Sequence, residues 1–263
     1  MKYARRFALT LAVLALLPLC GCAAAPEIVD IPMPTAVPTP IPTLPPTPAP
    51  APAPTQKPTL KDRAAELIDA PLTRLINYEH QIPADYASAD MVLVEGLDTE
   101  GVLSYSSDGL MGDREATLAF LEMIVAARAE GVEGYLLKSV YRTSGEQRRL
   151  WDNKVADVPG YGSDGAPVVT AYPGASEHQA GLAFDVSSVK HRKLNAAFAE
   201  TEQCQWLYAH CTEFGFIVRY PEGSESVTGI MYEPWHFRYV GVELAAYLTD
   251  NGLILEQFYS GLY

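Results

Sequence analysis

Apolar and polar residues alternate with a two-residue period at about 181–187 and 235–240, and these two runs, with the apolar stretches at about 135–142 and 216–219, predict four strands. In the first alternating run Leu182, Phe184 and Val186 share one face, while Gly181, Ala183 and Asp185 share the other. In the second, Trp235, Phe237 and Tyr239 oppose His236 and Arg238. The segments between carry helical spacing. Asp113 can cap a helix with Leu118, Leu121, Ile124 and Val125 that ends at Gly131. Thr143 or Ser144 caps the next, through Leu150 and Trp151. Residues 194–214 read as one long helix with Ala197, Phe198, Cys204, Tyr208 and Cys211 inward, and Val242 to Leu248 as a last helix stopped near Gly252. Residues 160–169 form a glycine-rich loop, and 60–110 are expected to wrap the domain as irregular structure. Without βαβ regularity or internal repeat, the pattern predicts an α+β fold: a small mainly antiparallel sheet packed with helices.

The first 60 residues have a different composition. Lys2, Arg5 and Arg6 precede the apolar run Phe7 to Leu19, which predicts an export signal too short for a permanent membrane helix. Leu19-Cys20-Gly21-Cys22 resembles a bacterial lipobox, with lipidation expected at Cys22; simple secretion, with cleavage near Ala23 to Ala25, is the alternative. Thirteen of the 21 prolines then lie between Pro26 and Pro58. That stretch favours polyproline II and cannot form a core; stiff, it would reach about 100 Å at ~3.1 Å per residue. The expected organisation is a lipoprotein signal at 1–21, a Pro/Thr/Ala-rich disordered tether at 22–59 and one catalytic domain at 60–263. The expected location is extracytoplasmic, membrane-anchored and facing a bacterial cell wall.

Net charge is −13 for the whole chain, which makes nucleic acid an improbable partner. A monomer is expected. Of four cysteines, only Cys204 and Cys211 fall in the domain. Seven residues apart on one helix they would sit about 10 Å apart, so two buried thiols are favoured over a bridge.

The chemistry concentrates at two places. His178 and Asp185, with His236 downstream, supply two imidazoles and a carboxylate, and Glu233 supplies a second carboxylate beside them. That is the requirement of a hydrolytic zinc centre: three protein ligands, an open position for water and a general base. His178 has the wrong strand parity to join Asp185, so the chain should turn or bulge near Gly181. Pro234 pushes Glu233 towards extended geometry at the strand entrance, where it can face the metal without ligating. Arg142 closes the first strand and can fork onto a carboxylate. Gln147 lies in a capping-box sequence, Ser144-Gly145-Glu146-Gln147, so substrate contact and capping are both open. His80, His191 and His210 read as ordinary core or surface residues.

From about Ile76 to Tyr247 the chain resembles the VanY-type zinc D-alanyl-D-alanine carboxypeptidases, the peptidoglycan-trimming branch of the M15 peptidases. The matching segments include Ser139-Val140-Tyr141-Arg142-Thr143-Ser144, Ser176-Glu177-His178 through Asp185, Gly215 to Pro221, and Glu233-Pro234-Trp235-His236. The resemblance implies a D,D-peptidase or hedgehog-like fold, Zn²⁺ held by His178, Asp185 and His236, Glu233 as base, and Arg142 in contact with substrate. It also places Ser139, Gln147 and Ser176 among substrate contacts. The implied activity is removal of a C-terminal D-alanine from peptidoglycan stem peptides. L,D-carboxypeptidase action on tetrapeptides and endopeptidase action are alternatives within the family. Two readings from other classes are a wall-binding module with non-hydrolytic zinc, which would not need Glu233, and a facial-triad iron oxygenase, whose carboxylate usually sits two residues from its His rather than seven.

Overall fold

In the computed structural model, which describes residues 59–163 and 165–260, the alternating run around Phe184 becomes a strand buried along its whole length. The segment read as an export signal, Cys22 and the proline-rich stretch up to Pro58 lie outside the described residues. The chain runs α1 (Ala64–Leu67), β1 (Met91–Leu93), α2 (Val94–Leu97), β2 (Leu103–Tyr105), β3 (Met111–Asp113), α3 (Arg114–Ala129), β4 (Tyr135–Ser139), α4 (Ser144–Asp157), β5 (Ala183–Ser188), α5 (Glu202–His210), β6 (Phe216–Val218), α6 (Glu225–Thr228), β7 (His236–Tyr239), α7 (Val242–Asp250) and α8 (Leu255–Tyr259). Five strands pair in the order β2-β4-β5-β7-β6. The edge pair β2–β4 is parallel and the other three pairings are antiparallel. A separate antiparallel pair joins β1 to β3. The fold is α+β with a small, mainly antiparallel sheet, as the order of strands and helices along the chain predicts. Among the described residues no helix is long and apolar enough to cross a membrane.

The two faces of the sheet have different jobs. Phe184, Phe237 and Tyr239 point to the side covered by α3, where Phe184 stacks on Phe120 with ring centroids 4.7 Å apart and meets Phe216 edge-on at 5.5 Å. Such ring pairs add to the burial of the rings themselves. Asp113 caps α3, its carboxylate accepting from the amides of Glu115 and Ala116. The face that α3 buries is Ala116, Phe120, Met123 and Ala127, with Leu121 and Ile124 beside it; Leu118 lies two residues round the helix from that row and is exposed. A second cluster ties α1, α7 and α8 together through Leu244, Leu248, Leu255 and Phe258.

Several expectations need correction. Residues 60–110 are not wholly irregular, for they contain β1, β2 and two short helices. The capping box of α4 begins one residue early, with Thr143 and Glu146 bonding reciprocally. The long helix expected over 194–214 is three pieces: 3-10 turns at Ala196–Glu200 and Cys211–Phe214 flank α5. Thr201 makes the first break. Its backbone is extended, and its hydroxyl donates to Phe198 O and accepts from Cys204 N, so it caps α5 rather than continuing a helix. Ala197 and Tyr208 are exposed in consequence, while Phe198, Cys204 and Cys211 are buried as expected. Both cysteines are free thiols, and Cys204 Sγ donates to Pro234 O at 3.5 Å. Helix α8 follows the helix that the spacing predicts to end near Gly252 and lies beyond any predicted element.

Gly181 ends the 3-10 turn Glu177–Ala180 in the left-handed region, at φ 70°. A Cβ there would lie 2.8 Å from Met91 Sδ and 3.0 Å from Asp113 N. Gly181→Ala is therefore expected to lower the unfolding free energy by about 1–3 kcal/mol, the combined cost of left-handed strain and a displaced contact. The readout is the urea midpoint at unchanged slope; a wild-type midpoint would show that the turn absorbs both.

Candidate active site

Strand register assembles the site. Ser139 pairs with Asp185 across β4–β5, and Asp185 pairs with His236 across β5–β7. A register shift between Leu137 and Ser139 brings Ser139 onto this row, the sort of local bulge that re-aims a side chain. Three neighbouring strands thus present Ser139, Asp185 and His236 side by side, opposite the aromatic face.

His178 arrives from outside the sheet. The 3-10 turn Glu177–Ala180 carries it, Gly181 reverses the chain, and the backbone continues into β5. The parity problem seen in the sequence is solved by this turn. The imidazole Nδ1 faces Val140 O at 2.5 Å, and the His178 carbonyl accepts from Arg142 N at 3.1 Å. With Nδ1 donating, His178 presents the bare Nε2 to the row, 3.2 Å from Asp185 Oδ2. His236 presents Nδ1, 3.2 Å from Asp185 Oδ1. The two rings are nearly perpendicular, centroids 5.0 Å apart.

One donor atom from each of His178, Asp185 and His236 lies within 4.8 Å of the others, and all three residues are buried. His178 Nε2 and Asp185 Oδ1 have no hydrogen-bond partner. Buried polar atoms are rarely left so, and two imidazoles with one carboxylate suit zinc, so the residues present fit that ion. Titration agrees. Burial lowers His178 to about 4, with Arg142 adding and Asp185 opposing, so its ring is neutral as a ligand's must be. Burial would also lower His236, but the carboxylates of Asp185 and Glu177 beside the ring override it and raise it to about 9. A cation at the cluster competes with that proton. Burial likewise opposes ionisation of Asp185, yet the two imidazoles hold its carboxyl well below the usual range.

Glu233 stands in the turn before β7, where His236 N donates to its carbonyl at 3.2 Å. Its carboxylate is buried, 3.5 Å from His236 Nδ1, and outside the cluster of three. Burial raises it to about 8, with His236 opposing and Asp185 adding; a nearby divalent charge would draw that value down. Arg142 is pinned on three sides: Nε donates to Ser139 Oγ at 3.1 Å, Nη1 to Gln147 Oε1 at 2.6 Å and Nη2 to Asp185 Oδ2 at 3.3 Å. Gln147 takes no part in the α4 cap; its amide donates to Ala171 O, so it braces the guanidinium. These groups, with Ser176, Leu150 and Trp235, line a cavity of about 280 Å³. Trp235 precedes β7 and packs with Phe198 and Cys204, apart from the aromatic face assigned to it by alternation.

Sequence reasoning missed the residues behind His236. Glu177 is fully enclosed, its Oε2 3.4 Å from His236 Nε2 and its Oε1 2.7 Å from both Arg219 Nε and Arg238 Nη1. The two guanidiniums hold this carboxyl far below its ordinary range against the cost of burial. The signal available was Arg238, which shares the inward parity of His236 in a buried strand and so demanded a carboxylate. His80, His191 and His210 lie apart from the cluster, with Asn77, Asn195 and Glu213 beside them respectively.

An α+β domain with a buried two-histidine, one-aspartate cluster and a detached glutamate defines a class of metal-dependent domain, and comparison with known proteins narrows it. The family model described as VanY, D-alanyl-D-alanine carboxypeptidase, matches residues 111–242. The chain belongs to that family. It is 37% identical over 186 residues to the putative carboxypeptidase YodJ of Bacillus subtilis (strain 168), covering 70% of this chain and 66% of that protein, so the chain spans just under two thirds of this relative's length. Among solved structures it resembles the LdcB LD-carboxypeptidase, described in terms of peptidoglycan recognition, with TM-score 0.62 and 34% identity over 72% of this chain and 86% of that one. It also resembles a mutant of the vancomycin-resistance D,D-pentapeptidase VanY from a VanB-type cassette in complex with Zn(II), with TM-score 0.56 and 34% identity over 72% and 99% of the two chains.

Purified protein is expected to hold one zinc per chain, to lose it to a chelator and to regain it from Zn²⁺. His178→Ala, Asp185→Ala and His236→Ala should each be sub-stoichiometric by atomic absorption; full occupancy in all three would place the metal elsewhere.

Proposed function

We propose that the chain is a monomeric, extracytoplasmic zinc carboxypeptidase that removes the C-terminal D-alanine from peptidoglycan stem peptides. The observation that carries this is the position of Glu233: a buried carboxylate facing the metal cluster without belonging to it, which a purely structural zinc site has no use for. Its presence also weighs against a non-hydrolytic wall-binding module. Zinc, held by His178, Asp185 and His236, would acidify a bound water and polarise the scissile carbonyl. Glu233 takes a proton from the attacking water and delivers it to the leaving amine nitrogen. Its buried surroundings favour that return, because they favour the protonated acid. Arg142, braced by Ser139 and Gln147, offers a planar cation at the cavity wall for the carboxylate or carbonyl oxygen of the peptide end. Ser176 stands on the same wall.

The family description and the D,D-pentapeptidase likeness support cleavage between two D-alanines. A second reading, L,D-cleavage of a tetrapeptide, has the LdcB likeness behind it, whose TM-score of 0.62 exceeds the 0.56 of the D,D-enzyme. For the N-terminus we propose lipidation at Cys22 and a proline-rich tether that lets the domain reach the wall from the membrane; the lipobox-like Leu19-Cys20-Gly21-Cys22 and thirteen prolines up to Pro58 support it.

Incubation with muropeptide tri-, tetra- and pentapeptides, read by mass spectrometry, is expected to show loss of one alanine from the pentapeptide. Conversion of the tetrapeptide alone would establish the L,D reading, and no conversion of either would remove the carboxypeptidase assignment. In the same assay Glu233→Gln should keep its zinc while turnover falls by about 10²-fold to 10⁴-fold, the range of a positioned acid–base group; near-normal turnover would put the base elsewhere. In cells, Cys22→Ala should move the exported protein from the membrane fraction to the soluble one, because loss of the acyl chains leaves only the tether. Unchanged membrane association would exclude the anchor.

A further inference from the structure

Glu177 is the inner member of a buried ionic chain that runs from the metal cluster to both flanks of the domain. Arg219 gives Nε to Glu177 and its two remaining nitrogens to Glu256 of α8, at 2.9 and 2.6 Å. Arg238 gives Nη1 to Glu177 and Nη2 to the carbonyls of Leu72 and Arg74, at 3.1 and 2.9 Å. Asn77 adds a donor to Glu256 at 3.3 Å. Two guanidiniums and two carboxylates balance in charge, and three of the four side chains have no exposed surface.

The contact from Glu177 to His236 Nε2 is long, at 3.4 Å. So long a contact orients a ring only if the carboxylate itself cannot move. Arg219 and Arg238 supply that immobility; Arg238 is held in turn by Leu72 and Arg74, and Arg219 by Glu256, which Asn77 braces from behind. All four of these lie outside residues 111–242, the stretch that the family model matches. Removing the charge of Glu256 would leave two guanidiniums facing one carboxylate, and would draw Glu177 towards Arg219 and away from the imidazole.

We propose that the flanks at residues 72–77 and 255–259 are positioning parts of the metal centre: through Arg238 and Arg219 they pin Glu177, and Glu177 fixes His236 with Nε2 as donor and Nδ1 turned to the metal. Partners that hold a ligating imidazole typically matter by 10- to 100-fold in metal affinity. The proposal rests on the zinc reading of the cluster and requires nothing about the substrate.

The test uses the full chain, zinc as the ligand and a competing chromophoric chelator to measure Kd. Glu177→Gln is expected to raise the zinc Kd by roughly 10- to 100-fold, and Glu256→Gln, one step further out, by roughly 3- to 10-fold. Circular dichroism checks that each variant is folded; should Glu177→Gln fail to fold, Glu256→Gln carries the comparison, because its carboxylate sits at the edge of the chain with 11% of the side chain exposed. Long-range ¹H–¹⁵N spectra of the zinc-loaded wild type should show His236 protonated at Nε2 and His178 at Nδ1. A zinc Kd within twofold of wild type in folded Glu256→Gln, or His236 protonated at Nδ1, would overturn the proposal. Since no step involves a peptide, its failure is separable from failure of the carboxypeptidase reading, and a wild type that bound no zinc would overturn both.

Discussion

A carboxylate with almost no exposed surface stands where two imidazoles and a guanidinium converge, and the need to compensate the Asp185 charge constrains everything around it. Burying an ionised group without partners costs several kcal/mol. Here the register of β4, β5 and β7, the shift at Ser139 and the turn that delivers His178 all serve to set one anion beside the Arg142 guanidinium and two ring nitrogens that can share a cation with it. A slip of one residue in β5 would exchange Asp185 for Phe184 on this face and put the charge into the aromatic core. The same pairings that build the sheet therefore keep the charge on the face where it is compensated.

The sheet separates two kinds of interior. On one side Phe120, Phe184, Phe216 and Tyr239 pack by dispersion and area burial. On the other, layers of opposite charge follow one another outward from His236: Glu177, then Arg219 and Arg238, then Glu256 and backbone carbonyls. The aromatic side can exchange methyl groups with modest loss. The ionic side cannot, since removing any member leaves its neighbour charged and dry.

How much of this could be read in the chain follows from the range of each signal. Alternation at β5 and β7 and short apolar runs at β4 and β6 located four of the five strands of the main sheet, because the two faces of β5 and β7 carry different chemistry, aromatic on one and ionic on the other. Asp113 and Thr143 mark helix starts by their own hydrogen bonds, so those caps were legible within a residue. The His178 turn was legible from parity together with Gly181. The break at Thr201 was not, because a threonine that caps and a threonine in a helix differ only in where Phe198 and Cys204 come to rest. Nor were β1 and β2, whose three-residue lengths carry no periodicity. Within the site, the metal-facing residues could be inferred from side-chain chemistry, whereas the pairing of Glu177 and Glu256 could not: both meet one arginine, Arg219, 42 and 37 positions away.

The two thiols of the domain offer an internal gauge of its integrity. Burial pushes Cys204 up to about 12 and Cys211 up to about 11, and only the thiolate reacts with alkylating agents or oxidants. Cys204 is additionally fastened to the Pro234 carbonyl, in the turn between Glu233 and His236. Covalent labelling at these positions must wait for the structure to open around them. Under conditions where reclosing outpaces the reagent, the labelling rate then measures the free energy of that opening, and its value at Cys204 reports how firmly the turn carrying Glu233 is shut.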